Sequence, residues 1–192
     1  MLLRLLVPVV AVGLLLSGCG ASPDAPAPPE PSPTCTPEFG GDEYPCSQAE
    51  FQRMEERDAL YAEAEQLNDK MQQIVDRLYR EGVTETLMDD LKLIAAGSAR
   101  EEFEFLAKSV QERKIKMVGG ETRIVSVKRN PAAKEGSEIA LSTCVDASSA
   151  TLFMDGEDVG PGDPAIDHFY FKRVDGVMKI WAAESEHVES CD

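Results

Sequence analysis

One long helical pattern constrains the fold of this chain more than any other feature. It starts after Ser47 and runs without glycine or proline as far as Gly82. Apolar residues recur within it at steps of three and four, which predicts one apolar stripe along a single α-helix; they are Phe51, Met54, Tyr61, Ala64, Leu67, Met71, Ile74, Val75 and Leu78. Ser47 and Glu50 have the spacing of a capping box, in which each residue's side chain accepts a hydrogen bond from the other's backbone amide.

This stripe can be buried in two ways. It can pack on other elements of the same chain, or it can pair with a second copy in a coiled-coil dimer. Asp58 and Ala64 are weak positions in a coiled-coil seam, so the sequence favours packing within the chain.

Two shorter helices follow. Thr84 is expected to cap a helix with one apolar face, and Gly97 is expected to end that helix in the left-handed conformation. Ser98 and Glu101 have the spacing of a second capping box, which opens a third helix. The apolar faces of the two helices consist of Leu87, Met88, Leu91 and Ile94, and of Phe103, Leu106 and Val110.

After Arg113 the pattern changes to the alternation of strands. Asp175-Gly176 is a strong hairpin signal, and residues 130–136 and 157–163 are expected to be loops. Helices followed by antiparallel strands predict an α+β fold, with one long N-terminal helix and two short helices packed on a curved antiparallel sheet. The strand candidates cover residues 114–118, 124–128, 139–145, 151–154, 168–174 and 177–182.

The first residues have the layout of a secretory signal. Arg4 precedes an apolar run that ends at Leu16 and is too short to span a bilayer as a helix. The sequence Leu16-Ser17-Gly18-Cys19 resembles the lipobox of bacterial lipoproteins. The resemblance implies that residues 1–18 are a signal peptide and that Cys19 receives a diacylglyceryl group. Acyl chains such as palmitate would then anchor the mature chain at the extracytoplasmic face of the cell membrane.

The other four cysteines are Cys35, Cys46, Cys144 and Cys191. An even number in an exported chain predicts two disulfides, for which three connectivities are possible. Cys35–Cys46 is the local choice, and it leaves Cys144 to pair with Cys191. A metal site is the weaker alternative, because the CxxC and HxxxH spacings are absent from the sequence.

Composition separates the anchor from the folded part. Residues 20–34 contain six prolines and are expected to form an extended spacer. The predicted organisation is a signal peptide over residues 1–18, a lipidated cysteine, linker and small disulfide loop over residues 19–46, and one domain over residues 47–192. The net charge of −16 repels nucleic acid, so no nucleic-acid partner is expected.

The order of these elements resembles the NTF2-like (cystatin-like) domains of actinobacterial lipoproteins. The resemblance extends from Ser47 to Cys191 and includes Arg123-Ile124-Val125, a Cys-x-Asp sequence in the segment 141–146, and the closing hairpin at 175–180. Met178 departs from the pattern, because a tryptophan is usual there. The resemblance implies a cone-shaped sheet with a pocket between sheet and helices, and it implies no particular reaction.

A proton-transfer group is the main catalytic candidate. His168 and Tyr170 share one face of their predicted strand, and Phe169 and Phe171 share the other. If the His168 face lines the cone, Asp146 could orient the imidazole for acid–base work alongside Tyr170. The opposite assignment is more natural, because the phenylalanines require burial and would leave His168 in water. Asp146 can also cap the turn that follows its strand.

Acidic residues cluster around one predicted loop: Asp155, Glu157, Asp158, Asp163 and Asp167. Oxygen-rich loops suit Ca²⁺, but the glycine and terminal glutamate of an EF-hand are missing, so a solvated acidic hairpin is favoured. His187 lies in a predicted polar tail. The sequence contains no nucleophile elbow, HExxH or phosphate-loop motif, and neither a metal nor a cofactor is predicted.

Three functions remain open at this point. The favoured one is a non-catalytic binding or interaction domain on a lipoprotein, with a small apolar ligand or an envelope protein as its partner. The second is an NTF2-like enzyme of the isomerase or hydrolase type that uses His168 and Asp146. The third is a coiled-coil assembly factor that dimerises through the long helix. The sequence does not decide between a monomer and a dimer.

Overall fold

The computed structural model describes residues 32–132, 134 and 136–191. The predicted signal peptide, Cys19 and most of the proline-rich linker lie outside this range. The described residues belong to one compact unit, in which three helices combine with antiparallel sheets. This is the predicted α+β class. None of the helices in this part of the chain is long and apolar enough to cross a membrane.

The helices are α1 (Gln48–Glu81), α2 (Glu85–Ile94) and α3 (Gly97–Glu112). The predicted capping box starts α1: the Glu50 amide donates to the Ser47 hydroxyl at 3.3 Å, and the Ser47 amide donates to the Glu50 carboxylate at 2.8 Å. The hydrogen bonds that the Ser47 amide and hydroxyl donate to the Glu50 carboxylate lower the pKa of Glu50. The predicted long helix is therefore confirmed, including the residue at which it begins.

The second helix begins as predicted and ends earlier. Thr84 caps α2, because its hydroxyl accepts a hydrogen bond from the Leu87 amide at 3.2 Å. Ala95 is the C-cap of α2, so the predicted role of Gly97 in ending this helix is wrong. Gly97 does have a left-handed backbone, but it belongs to α3.

The start of α3 also differs from the prediction. Ala96 stands at its N-cap, so the predicted capping role of Ser98 is wrong. Gly97 has a φ of 57°, and a Cβ at this position would lie 2.6 Å from the carbonyl oxygen of Trp181. The start of α3 is therefore packed closely against the sheet, and its N-cap residue Ala96 makes no side-chain cap hydrogen bond.

Three antiparallel sheets accompany the helices in the described residues. A four-stranded sheet has the order β4-β5-β8-β9, a three-stranded sheet has the order β3-β6-β7, and β1 pairs with β2. The strands are β1 (Thr34–Cys35), β2 (Tyr44–Pro45), β3 (Lys116–Val118), β4 (Arg123–Arg129), β5 (Ile139–Asp146), β6 (Thr151–Met154), β7 (Glu157–Pro161), β8 (Ala165–Val174) and β9 (Val177–His187).

The loop predicted at residues 157–163 is wrong, because β7 occupies most of it. Asp155 and Gly156 have φ values of 55° and 89°, and positive values at both central residues are typical of a tight hairpin turn. The sequence does not predict β7, because this strand lies at a sheet edge and its residues do not alternate between apolar and polar. His187, predicted in a polar tail, is the last residue of β9.

The core lies between α1 and one face of the four-stranded sheet, which is called the inner face below. Phe169 is 4% exposed and Phe171 is fully buried, so the predicted burial of the two phenylalanines is confirmed. The expectation that His168 is left in water is wrong, because its side chain is only 24% exposed and Tyr170 on the same face is buried. The apolar stripe of α1 is buried within its own chain, and its Tyr61, Ala64, Met71 and Ile74 belong to the same core cluster as Leu141, Phe169, Phe171 and Ile180.

Both disulfide bonds are present. They join Cys35 to Cys46, 11 residues apart, and Cys144 to Cys191, 47 residues apart. The first bond closes the β1–β2 loop, which lies against α1 because the hydroxyl of Tyr61 donates to Glu38 at 2.9 Å. The second ties β5 to the C-terminal segment.

Candidate binding site

A cavity of about 410 Å³ lies between the helices and the inner face of the sheet. Its volume falls within the range of about 300–1,000 Å³ that is usual for small-molecule sites. Helix α1 and helix α3 form one wall, and β8 and β9 form much of the other. The side chains that give the lining its apolar character include Met71, Val75, Phe103, Leu106, Phe169 and Ala183.

The spacing of residues along each element directs these side chains inward. Met71 and Val75 are one turn apart on α1, so they lie on the same face of the helix. Phe103 and Leu106 have the equivalent relation on α3. Phe169 stands opposite Ala183 in the β8–β9 register. The apolar residues that recur at helical and strand spacing therefore line the cavity and also form the core.

Small residues keep this space open. Ala147, Gly162, Ala165 and Ala183 all line the cavity, on β8, on β9 and on the segments that follow β5 and precede β8. Larger side chains at Ala165 and Ala183, on β8 and β9, would take up part of this space. A Cβ at Gly162 would instead lie 2.8 Å from the carbonyl oxygen of Ala147, so glycine lets these two lining segments approach each other.

A row of polar side chains joins α1 to the sheet beside the apolar lining. Gln72 donates to the Asp167 carboxylate at 2.8 Å, and the Thr143 hydroxyl donates to Asn68 at 2.9 Å. Thr143 and Asp167 are direct partners in the β5–β8 register. Within the described range, the side-chain nitrogen of Asn68 has no hydrogen-bond partner.

The charges around the cavity have one sign. Among its described lining residues are five acidic ones and no lysine, arginine or histidine; the acidic ones are Asp76, Glu102, Asp163, Asp167 and Glu184. Asp76 forms an ion pair with Arg80 at 2.9 Å. Asp167 has no ion-pair partner among the described residues. Its negative charge therefore remains uncompensated at the apolar surface.

Tyr79 places a hydroxyl group in the same lining. Burial raises the pKa of Tyr79, and the negative charge of Asp167 raises it further. The phenol is therefore neutral at physiological pH and can donate a hydrogen bond to a bound molecule. The cavity thus combines an apolar surface with a small number of polar groups.

His168 lies on the outer face of the sheet, opposite the cavity. Its Nδ1 is 2.8 Å from the hydroxyl of Ser142 and 3.3 Å from the side-chain nitrogen of Asn130, and its Nε2 is 3.6 Å from Glu186. Ser142 and His168 are register partners in β5 and β8. Ser142 lies on β5, Glu186 on β9 and Asn130 just after β4, so no local sequence pattern brings these neighbours together.

Asp146 has other partners. The side chain and the backbone of Ser148, together with Arg123, lower the pKa of Asp146 to about 2. The Ser148 amide donates to Asp146 at 2.9 Å, and Arg123 donates at 2.8 Å. The predicted turn-capping role is therefore present. At neutral pH this carboxylate is ionised and only weakly basic.

Tyr170 completes the predicted proton-transfer group. Its hydroxyl donates to Glu184 at 3.3 Å, and Lys134 lies 5.5 Å from the centre of its ring. No hydrogen bond in the described structure joins any two of His168, Asp146 and Tyr170. Asp146 is four residues beyond Ser142 on β5, which corresponds to about 13 Å along an extended strand. The structure therefore leaves the three side chains in separate networks.

The cluster of Ser142, His168 and Glu186 contains the residue types of a nucleophile, base and carboxylate. Its surroundings do not support acyl transfer. β5 and β8 are inner strands of the sheet, so their backbone amides are engaged in the ladder and do not form an oxyanion hole. The Asn130 side chain already donates to Ser142 at 3.0 Å. The cluster is a polar network on the outer face.

The acidic residues predicted around one loop separate in the structure. Asp155 lies in the β6–β7 turn, Asp158 accepts from the Gly160 amide at 2.9 Å, and Asp167 reaches the cavity. Across the described residues, no group of three or more His, Cys, Asp or Glu side chains is arranged to hold a metal ion.

A scan against known protein families finds no match, and curated protein sequences contain no significant match either. The geometry of the cavity is therefore the main guide to function.

Proposed function

We propose that this protein is a lipid-anchored extracytoplasmic binding protein whose NTF2-like cone takes up a small apolar molecule. The observation that carries this proposal is the cavity of about 410 Å³ with its largely apolar lining. Small-molecule sites are typically concave and apolar, with a few polar groups that orient the ligand. Gln72, Tyr79 and Asp167 are the polar groups in the corresponding place here.

The arrangement of the elements supports the NTF2-like assignment. One long and two short helices face an antiparallel sheet, and a hollow lies between them. This is the layout that the resemblance implied. The assignment is part of the proposal, since it rests on element order and on the position of the cavity.

The anchor is supported by the lipobox at Leu16–Cys19 and by the proline-rich spacer that follows it. Two disulfides are also typical of an oxidising compartment outside the cytosol. Replacing Cys19 with serine should release the protein from the membrane fraction or leave it unprocessed. Mass spectrometry of the wild-type N-terminal peptide should show an added diacylglyceryl group, and an unmodified mature peptide would contradict the anchor.

Binding can be tested on residues 32–192, the compact unit that holds the cavity. The apolar dye phenylnaphthylamine should bind with a saturable rise in fluorescence. Val75→Phe places a larger side chain in the cavity and should abolish this rise. Val177→Phe is the matched control, because Val177 is 55% exposed at the start of β9. Equal dye binding by the two variants would contradict the proposed site.

The other two functions have less support. His168 lies on the face opposite the cavity and does not contact Asp146, so an enzyme that uses both residues lacks a shared pocket. A coiled-coil dimer would need the apolar stripe of α1, which already packs in the core. Turnover lost on His168→Ala would favour the enzyme, and concentration-dependent sedimentation would favour assembly through α1.

A further inference from the structure

We propose that the cavity selects apolar amines, with the ligand's ammonium group held against the carboxylate of Asp167. The inference rests on the function proposed above and adds the chemical class of the ligand. A protonated amine on an apolar body matches both the lining and its uncompensated charge. Three features support this choice: the sign of the charge, the position of Asp167, and the poorer fit of other head groups.

The sign of the charge comes from the whole lining. The described residues around the cavity include acidic side chains and no basic ones. Asp76 is neutralised by Arg80, Glu184 is paired with Lys134, and Asp163 lies at 3.8 Å from His187 in a highly exposed pair. Asp167 differs from these three, because no described residue forms an ion pair with it.

Asp167 is well placed to meet a ligand. It lies on β8 between Ala165 and Phe169, two positions of the same strand face that also line the cavity. Gln72 donates to its Oδ2 at 2.8 Å. No described hydrogen bond reaches its Oδ1. The neutral amide fixes the carboxylate in place and leaves one oxygen available for a donor.

Other head groups fit less well. A ligand carboxylate would place a second negative charge beside Asp167, and like charges at short distance repel strongly in an apolar site. A neutral alcohol can donate one hydrogen bond without charge compensation. A protonated amine supplies a hydrogen bond and also a positive charge that compensates the carboxylate. Hydrogen bonds between charged partners are about twice as strong as neutral ones. Tyr79 can add a further polar contact at the same end.

The test uses three photoreactive probes of equal chain length, namely decylamine, decanol and decanoate that each carry a diazirine. The complete chain is labelled in membranes, and labelled peptides from α1 and β8 are quantified by mass spectrometry. Decylamine should half-saturate the labelling at a concentration at least about tenfold lower than decanol, which corresponds to about 1.4 kcal/mol. Decanoate should label these peptides least.

Asp167→Asn keeps the shape of the side chain and removes its charge. It should raise the half-saturating concentration of decylamine about tenfold and leave that of decanol nearly unchanged. Asp175→Asn is the matched control, because it changes the net charge equally at the β8–β9 turn and should behave as wild type.

The outcomes separate the inference from the function on which it rests. Equal labelling by decylamine and decanol in the wild type would overturn amine selection, while saturable labelling would still support an apolar site. Preference for decanoate, or an Asp167→Asn variant that keeps its preference for decylamine, would also overturn it. Absence of saturable labelling by all three probes would overturn the proposed binding function itself.

Discussion

The contact between Gly97 and Trp181 offers the sharpest test of how the cavity wall is held. The amide of Ala96 donates to the carbonyl oxygen of Ile180 at 2.9 Å, so the start of α3 is fixed to β9. Gly97 follows at once, and a Cβ there would lie 2.6 Å from the Trp181 carbonyl oxygen and 2.8 Å from its ring. Gly97→Ala should therefore force α3 and β9 apart.

The expected loss of stability has two parts. A non-glycine residue in the left-handed region costs about 1–2 kcal/mol. Relieving the overlap with Trp181 costs about 1–3 kcal/mol more, as in other overpacked sites. Gly97→Ala should therefore lower the free energy of unfolding by about 2–5 kcal/mol. Gly176→Ala should lose only the about 1–2 kcal/mol that the left-handed backbone costs, because Gly176 has a φ of 79° and a Cβ there would meet no packing neighbour within 4 Å.

Urea unfolding followed by tryptophan fluorescence measures both variants, because Trp181 is the single tryptophan of the chain. Gly97→Ala should also shift the native emission, since the substitution disturbs the surroundings of the indole ring. An equal loss of stability in the two variants would refute the reasoning. It would mean that the close approach between α3 and β9 has no energetic consequence.

Three further predictions concern stability. Replacing Cys144 and Cys191 with serine should lower the free energy of unfolding by about 4 kcal/mol, because the disulfide bond closes a long loop. Urea denaturation of the variant and of the oxidised wild type measures this difference. Equal stability of the two proteins would contradict the presence of the bond. Ser47→Ala should lower the free energy of unfolding by about 1 kcal/mol through loss of the α1 cap, and urea denaturation measures this loss as well. An unchanged unfolding midpoint would contradict the capping role of Ser47. The lowered pKa of Asp146 stabilises the fold above its ordinary value of 3.8, and this contribution is lost as pH falls toward about 2. Asp146→Asn should therefore be less stable than wild type near pH 6, with a difference that shrinks in acid; a difference independent of pH would contradict this.

Local signals explain why the helices could be predicted from the sequence. The capping box at Ser47 and the cap at Thr84 involve residues only three apart, so their consequences are visible in the sequence. The start of α3 depends instead on Trp181, which lies far along the chain. A local capping pattern at Ser98 therefore gave the wrong boundary.

The candidate site was less accessible to sequence reasoning. Gln72 and Asp167 are 95 residues apart, and their contact requires α1 to lie across the sheet in one particular position. The open space depends on small residues from several segments, among them Ala147, Ala165 and Ala183. The hydrophobic pattern indicated which faces are buried, but it contained no signal that separates a filled core from a hollow one.

A crystal structure of residues 32–192 under xenon pressure tests most directly whether the domain is hollow. Xenon enters apolar cavities and is located by its scattering. We expect a xenon site among Val75, Leu106 and Phe169, with the cavity retained. A structure in which these side chains close on one another and no xenon lies between them would contradict the claim that this domain holds an apolar binding cavity.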